Sequence, residues 1–227
     1  MTPDVAREEC YVQVASGEVT LDGDLCLPPG AKGLVVFAHG SGSSRHSPRN
    51  RYVARVLRDG ALGTLLFDLL TPKEEAVDEY TAELRFNINL LARRLVGATD
   101  WLVREPSTRR LRIGYFGAST GAAAALVAAA ERPEAVGAVV SRGGRPDLAD
   151  AVLADVRAPT LLIVGGEDGP VIEMNRQALA RLSAPKEMVI IPGATHLFEE
   201  PGTLEQVAEK ARDWFSRHLG KGPAPGA

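Results

Sequence analysis

Apolar and polar positions alternate around Tyr11-Val12-Gln13-Val14, break at Ser16-Gly17 and resume at Val19-Thr20-Leu21. The run continues through Leu25-Cys26-Leu27 until Pro28-Pro29-Gly30 stops it. Period-two alternation on both sides of a turn predicts an antiparallel hairpin. Downstream the pattern changes to short, nearly continuous apolar runs at 34–38, 64–67, 112–116, 135–140, 160–164 and 188–191. Such runs are strands buried on both faces. Helical segments are expected between them, over 49–59, 82–104, 120–131, 146–154, 172–182 and 203–217. In the last of these Val207, Ala211, Trp214 and Phe215 fall on one stripe, which should dock on a sheet. The alanines of 122–130 read as core, small enough to let a central helix pack closely. The acidic stretch 73–79 reads as an exposed loop leading into the helix 82–104, or as a flap flanking a site.

Strands alternating with helices define an α/β fold: a mostly parallel central sheet, an N-terminal antiparallel hairpin, and helices on both faces. Residues 1–219 are expected to form one domain, followed by a glycine- and proline-rich tail at 220–227. Only residues 141–159 separate the fourth and fifth parallel runs, which leaves room for one short helix and none for a cap domain.

The candidate chemistry begins at Gly117-Ala118-Ser119-Thr120-Gly121, a G-x-S-x-G pattern between a strand-like run and a helical one. Strand, sharp turn and helix are the setting of a nucleophile elbow, in which a strained serine projects its hydroxyl clear of the chain. Small residues two before and two after the serine let strand and helix approach. Serine needs a neighbouring base oriented by a carboxylate. Asp168 follows the buried run 161–164 through Gly165-Gly166-Glu167, and His196 follows the run ending at Ile191 through Pro192-Gly193-Ala194-Thr195. Both lie past the carboxyl ends of parallel strands, where open α/β sheets place their ligands. Glu167 is a rival to Asp168, and Asp168 could instead cap the helix that follows. Asp68, ending another strand, is expected to hold neighbouring loops.

Composition narrows the classes. With 45% hydrophobic and 24% charged residues the chain is of ordinary globular type. A formal charge of −3 lacks the basic footprint of a nucleic-acid binder. The first residues hold no apolar core for a secretory signal, and no apolar run reaches the length of a membrane span, so a cytoplasmic location is expected. Cys10 and Cys26 fall on the two arms of the hairpin and read either as two buried thiols or as a pair. The four histidines, His39, His46, His196 and His218, form no metal-binding spacing, and no metal or other cofactor is expected.

Taken together, His39-Gly40, the Ser119 elbow, Gly165-Gly166-Glu167-Asp168 and Gly193-Ala194-Thr195-His196 resemble the α/β-hydrolase superfamily. Within it the chain is most similar to the small, cap-less dienelactone hydrolase-like family, over about residues 11–218. The resemblance implies a triad of Ser119, Asp168 and His196, in the chain order of that fold. It also implies an oxyanion hole from the backbone amides of Thr120 and Ser41, with His39 structural beside it. Dienelactone hydrolases proper use a cysteine nucleophile; the serine here shifts the expectation toward a serine esterase cleaving a carboxylic ester, thioester or lactone. An acyltransferase or perhydrolase using the same triad, and a non-catalytic binding protein on the same fold, are the alternatives. The expected partner is a small-molecule ester, with no nucleic acid or membrane, and the chain a monomer or homodimer. Arg45, His46, Arg49 and Arg142 gather near the same edge; Arg45, Arg49 and Arg142 are candidates to receive a substrate anion, or members of a solvated face.

Overall fold

The computed structural model describes residues 9–220. Eight strands form one sheet: β1 (Cys10–Ser16), β2 (Val19–Cys26), β3 (Leu34–Ala38), β4 (Gly63–Phe67), β5 (Ile113–Ala118), β6 (Val136–Arg142), β7 (Thr160–Gly165) and β8 (Lys186–Ile191). Their spatial order is β1-β2-β4-β3-β5-β6-β7-β8. The β1–β2 and β2–β4 pairs are antiparallel; the pairs from β4–β3 through β7–β8 are parallel. The run expected after the hairpin turn is the single strand β2, whose far end is hydrogen-bonded to β4.

The register bears on the cysteines. Cys10 stands opposite Leu25, so Cys26, one residue further along β2, points to the other face of the sheet. Cys26 is buried as expected, whereas Cys10 is exposed, because it begins the edge strand.

Helices cover both faces. On one, α3 (Ile88–Leu102), α4 (Thr120–Glu131) and α5 (Gly169–Arg181) pack over a core that includes Leu95, Tyr115, Leu126 and Leu162. On the other, α1 (Pro48–Asp59) and α6 (Thr203–Leu219) bury Phe37, Leu57, Phe116, Trp214 and Phe215. The alanines of α4 are nearly all fully buried, and this helix lies between β5, α3 and a 3₁₀ segment, Pro146–Asp155, the form taken by the expected helix 146–154. No cap domain is inserted between β6 and β7. The expected tail lies, beyond Gly220, outside the described residues.

Two expectations are corrected. The acidic stretch is not a loop but a helix, α2 (Pro72–Thr81). Its start is a capping box: the Glu74 amide donates to Thr71 Oγ1 (3.2 Å), and the Thr71 amide donates to Glu74 Oε2 (2.8 Å). The helix expected from residue 82 starts only at Ile88, where Asn87 Oδ1 accepts from the Leu90 amide at 3.0 Å. Between them Ala82 turns left-handed (φ 55°) and Leu84–Phe86 winds as a short 3₁₀ turn. Asp78 holds that turn, accepting from the Leu84 amide at 2.6 Å and the Arg85 amide at 3.1 Å.

Candidate active site

Ser119 joins β5 to α4 at φ 51°, ψ −120°, a conformation that L-residues rarely adopt. Such backbone persists only where its surroundings fix it. Here the Ser119 amide donates to the Arg142 carbonyl at the end of β6 (3.2 Å), and the Ser119 carbonyl accepts from the Arg145 amide (3.2 Å). The flanking glycines permit the close packing. A Cβ on Gly117 would stand 2.4 Å from the Ala122 Cα, and one on Gly121 would stand 2.2 Å from the Ala38 carbonyl oxygen. Ser119 occupies the N-cap position of α4, yet its side chain makes no capping bond.

Asp168 and His196 come together as expected. His196 Nδ1 lies 2.7 Å from Asp168 Oδ2. Asp168 stands at the N-cap position of α5 without capping it, because its carboxylate is turned to the imidazole. Its side chain is 14% exposed, while Glu167, the rival, faces solvent. The β7 and β8 loops that carry the pair are tied together by the Gly166 amide on the Ile191 carbonyl (2.8 Å) and the Glu167 amide on the Ala194 carbonyl (3.0 Å).

Ser119 and His196 line one cavity of about 230 Å³, together with Gly40, Ser41, Arg49 and Arg142 among others. Asp168 engages Nδ1, which leaves Nε2 as the ring atom available to a hydroxyl in this cavity. Among the described residues no hydrogen bond joins Ser119 Oγ to the ring; such contacts commonly close only on substrate binding.

The loop after β3 reaches the elbow directly. The Ser41 amide, expected in the oxyanion hole, donates to Thr120 Oγ1 at 3.0 Å. His39 is 9% exposed, and burial holds its pKa below the usual imidazole value. Its ring is neutral and fully used: the Leu69 amide donates to Nε2 (3.1 Å) and Nδ1 donates to the Gly40 carbonyl (3.0 Å). His39 therefore shapes the loop, with both ring nitrogens engaged.

The arginines separate. Arg45 does not line the cavity: its guanidinium pairs with Asp68 and approaches Asp24 at 3.7 Å, and its amide donates to Asp68 Oδ1 at 2.7 Å. Two carboxylates neutralise it, and Asp68 holds the loops as expected. Arg49 and Arg142 do line the cavity. Arg49 reaches Glu199 at 2.9 Å, and the guanidinium of Arg142 lies 5.9 Å from the ring centre of Phe198. Ser43, Ser47, Asn50 and Leu197 complete the lining. The helix expected from residue 49 starts at Pro48 behind a Ser47 cap, and nothing in the sequence aimed this start at the elbow.

On the far side of the same loop, a second cavity is lined by acidic side chains, Asp68, Glu75, Asp78 and Glu79, with Arg85. The acidic stretch thus lines this second cavity as a capped helix and takes no part in lining the Ser119 cavity. Among the described residues no cluster of His, Cys, Asp or Glu has the arrangement to hold a metal, and no helix is long and apolar enough to cross a membrane.

Residues 64–219 match the model of the dienelactone hydrolase family. The crystal structure of a dienelactone hydrolase from Anabaena variabilis is 64% identical, covers 93% of this chain and 98% of its own, and superposes with a TM-score of 0.93. A dienelactone hydrolase-like promiscuous phosphotriesterase from metagenomic libraries shares the fold at 18% identity, with a TM-score of 0.74 over 94% of this chain and 99% of its own. A putative phosphoribosyl transferase of Mycobacterium tuberculosis is 58% identical over 223 residues, 98% of this chain but 49% of that protein. The chain spans about half the length of that curated relative.

Proposed function

Because this chain belongs to the dienelactone hydrolase family, we propose that it is a serine hydrolase acting on a carboxylic ester, thioester or lactone through an acyl-enzyme. The observation that carries the reading is the 2.7 Å contact of His196 with Asp168, in a cavity shared with a Ser119 held at φ 51°. Ser119 Oγ attacks the carbonyl while His196 Nε2 takes its proton. Asp168 fixes the tautomer through Nδ1 and stabilises the imidazolium. The proton passes to the leaving group as the tetrahedral intermediate collapses. Water then attacks the acyl-serine, giving its proton to His196, which returns it to Ser119 Oγ as the acid departs.

The oxyanion formed at each stage is received by the backbone amides of Thr120 and Ser41. The Ser41 amide reaches it by leaving, or sharing, the Thr120 hydroxyl. This exchange keeps a polar group satisfied before substrate arrives. The transferase name carried by the longer mycobacterial protein describes a molecule about twice this length. We assign the acyl chemistry to the segment this chain shares with it.

Labelling with a fluorophosphonate probe, followed by turnover of p-nitrophenyl esters, tests the reading. Ser119→Ala should abolish labelling and lower ester cleavage by about 10⁴-fold or more, with the circular dichroism spectrum retained. Undiminished cleavage by a folded Ser119→Ala protein would overturn it.

A further inference from the structure

Arg142 stands out among the charged groups of the molecule. It is 7% exposed, and its Nε and Nη1 atoms are buried without a hydrogen-bond partner. Every other arginine of this edge has a carboxylate: Arg45 has Asp68, Arg49 has Glu199, and Arg85 has Asp78. A buried cation without a carboxylate, offset only by the Phe198 ring at 5.9 Å, is costly, and its persistence calls for a reason beyond folding. Burial first, and the charge of Arg49 second, push its pKa down to about 10, so it stays charged at neutral pH.

Its surroundings point to an anion. Arg142 lines the Ser119 cavity, whose lining includes a second guanidinium, Arg49, and no carboxylate. The N-terminus of α1 borders the same space through Ser47, Arg49 and Asn50, so the positive end of a twelve-residue helix lies beside it. Ser47 caps that helix by accepting from the Asn50 amide at 3.3 Å. Across the loop of Gly40, Ser41 and Ser43, which both cavities share, the neighbouring space is lined by four carboxylates. Two of these, Asp68 and Asp78, are paired with Arg45 and Arg85, which leaves Glu75 and Glu79 to disfavour a negatively charged group there, while Arg142 favours one in the Ser119 cavity.

We propose that this cavity selects esters carrying a phosphate group, held by Arg142 with Arg49 at the N-terminus of α1. The proposal rests on the serine-hydrolase reading and names the substrate class for that site. A carboxylate offers two oxygens and one charge, which Arg142 alone would satisfy. A phosphate has three terminal oxygens and nearly two charges at neutral pH, enough to engage donors on β6 and α1 together.

The probes are inorganic phosphate and acetate, compared at fixed ionic strength as competitive inhibitors of neutral p-nitrophenyl ester cleavage and by calorimetric titration. Phosphate should bind the wild-type protein about 10-fold more tightly than acetate. Arg142→Gln should weaken phosphate roughly 10- to 100-fold, the range for a lost hydrogen bond to a charged group. Arg142→Lys should recover part of that loss. Arg49→Gln, at a side chain one-third exposed, should give a smaller loss and decides the matter should Arg142→Gln not fold. Phosphate binding no better than acetate, or unaltered in folded Arg142→Gln, overturns the proposal while ester turnover leaves the hydrolase reading standing. Failure of both labelling and turnover overturns the hydrolase reading, a result that does not depend on the titration.

Discussion

At the scale of single residues, the elbow shows how local sterics hold a serine in an uncommon backbone conformation. The backbone of Ser119 is strained, and the packing that holds it depends on two missing side chains. Gly121 is the sharper case. A Cβ there would meet two carbonyl oxygens of the β3 end, Ala38 at 2.2 Å and His39 at 2.5 Å. Neither is the end of a flexible side chain, so the clash can be relieved only by moving β3 and its loop. Gly121→Ala should therefore destabilise the protein by about 3 kcal/mol or more, beyond ordinary overpacking. It should also depress ester cleavage in whatever fraction still folds, because the Ser41 amide is carried by that loop. Urea melts and initial rates measure the two effects; a stable, fully active Gly121→Ala would contradict the packing argument. Ser119, Asp168 and His196 were legible in the sequence because each follows a strand end, a position that hydrophobic runs reveal. Arg45 is the opposite case. Its partners Asp68 and Asp24 come from β4 and β2, and only the assembled sheet brings them to it.

At the scale of elements, β3 to β7 were readable because burial on both faces leaves an unbroken apolar signature, whereas β8, expected to be buried likewise, is an edge strand with only Ile191 fully buried. Helix α2 was not readable, because it buries almost nothing: Asp78 is its one buried residue. With no apolar stripe to read, the acidic composition suggested a loop, although the pattern Thr71-Pro72-x-Glu74 was present as a capping signal. A helix held by its ends rather than by packing should be unusually sensitive to its cap. Thr71→Ala removes the side chain that accepts from the Glu74 amide and should cost about 1 kcal/mol. The loss should be local, because Glu74 also ties this turn to α3 through Arg94. Amide exchange in 72–81 should accelerate several-fold while β3, β5 and α4 keep their protection. Uniform acceleration throughout the chain would show instead that α2 belongs to the global cooperative unit.

At the scale of the whole molecule, Ser119, Asp168 and His196 gather at the carboxyl edge of the parallel strands, on a sheet packed between two apolar cores. The loop after β3 is where the two cavities meet, and its anchor is a buried, neutral imidazole. His39 connects the Gly40 carbonyl to the Leu69 amide after β4, so protonation would break the acceptor at Nε2 and place a charge in the core. Burial lowers its pKa in the folded state, so near and below the ordinary imidazole value of about 6.5 the unfolded chain binds more protons than the folded one. Stability is then fully present above that value and falls as the pH drops toward the lowered folded-state pKa. The steepest possible contribution is about 1.4 kcal/mol per pH unit for one proton. His39→Gln is expected to be less stable at pH 7.5, having lost a fitted pair of hydrogen bonds, but to have a flatter dependence between pH 7 and 5. Urea midpoints of both proteins, measured across that range, separate the slope from the offset. Parallel curves would mean that the acid sensitivity arises elsewhere and that His39 is not the group whose neutrality the loop requires.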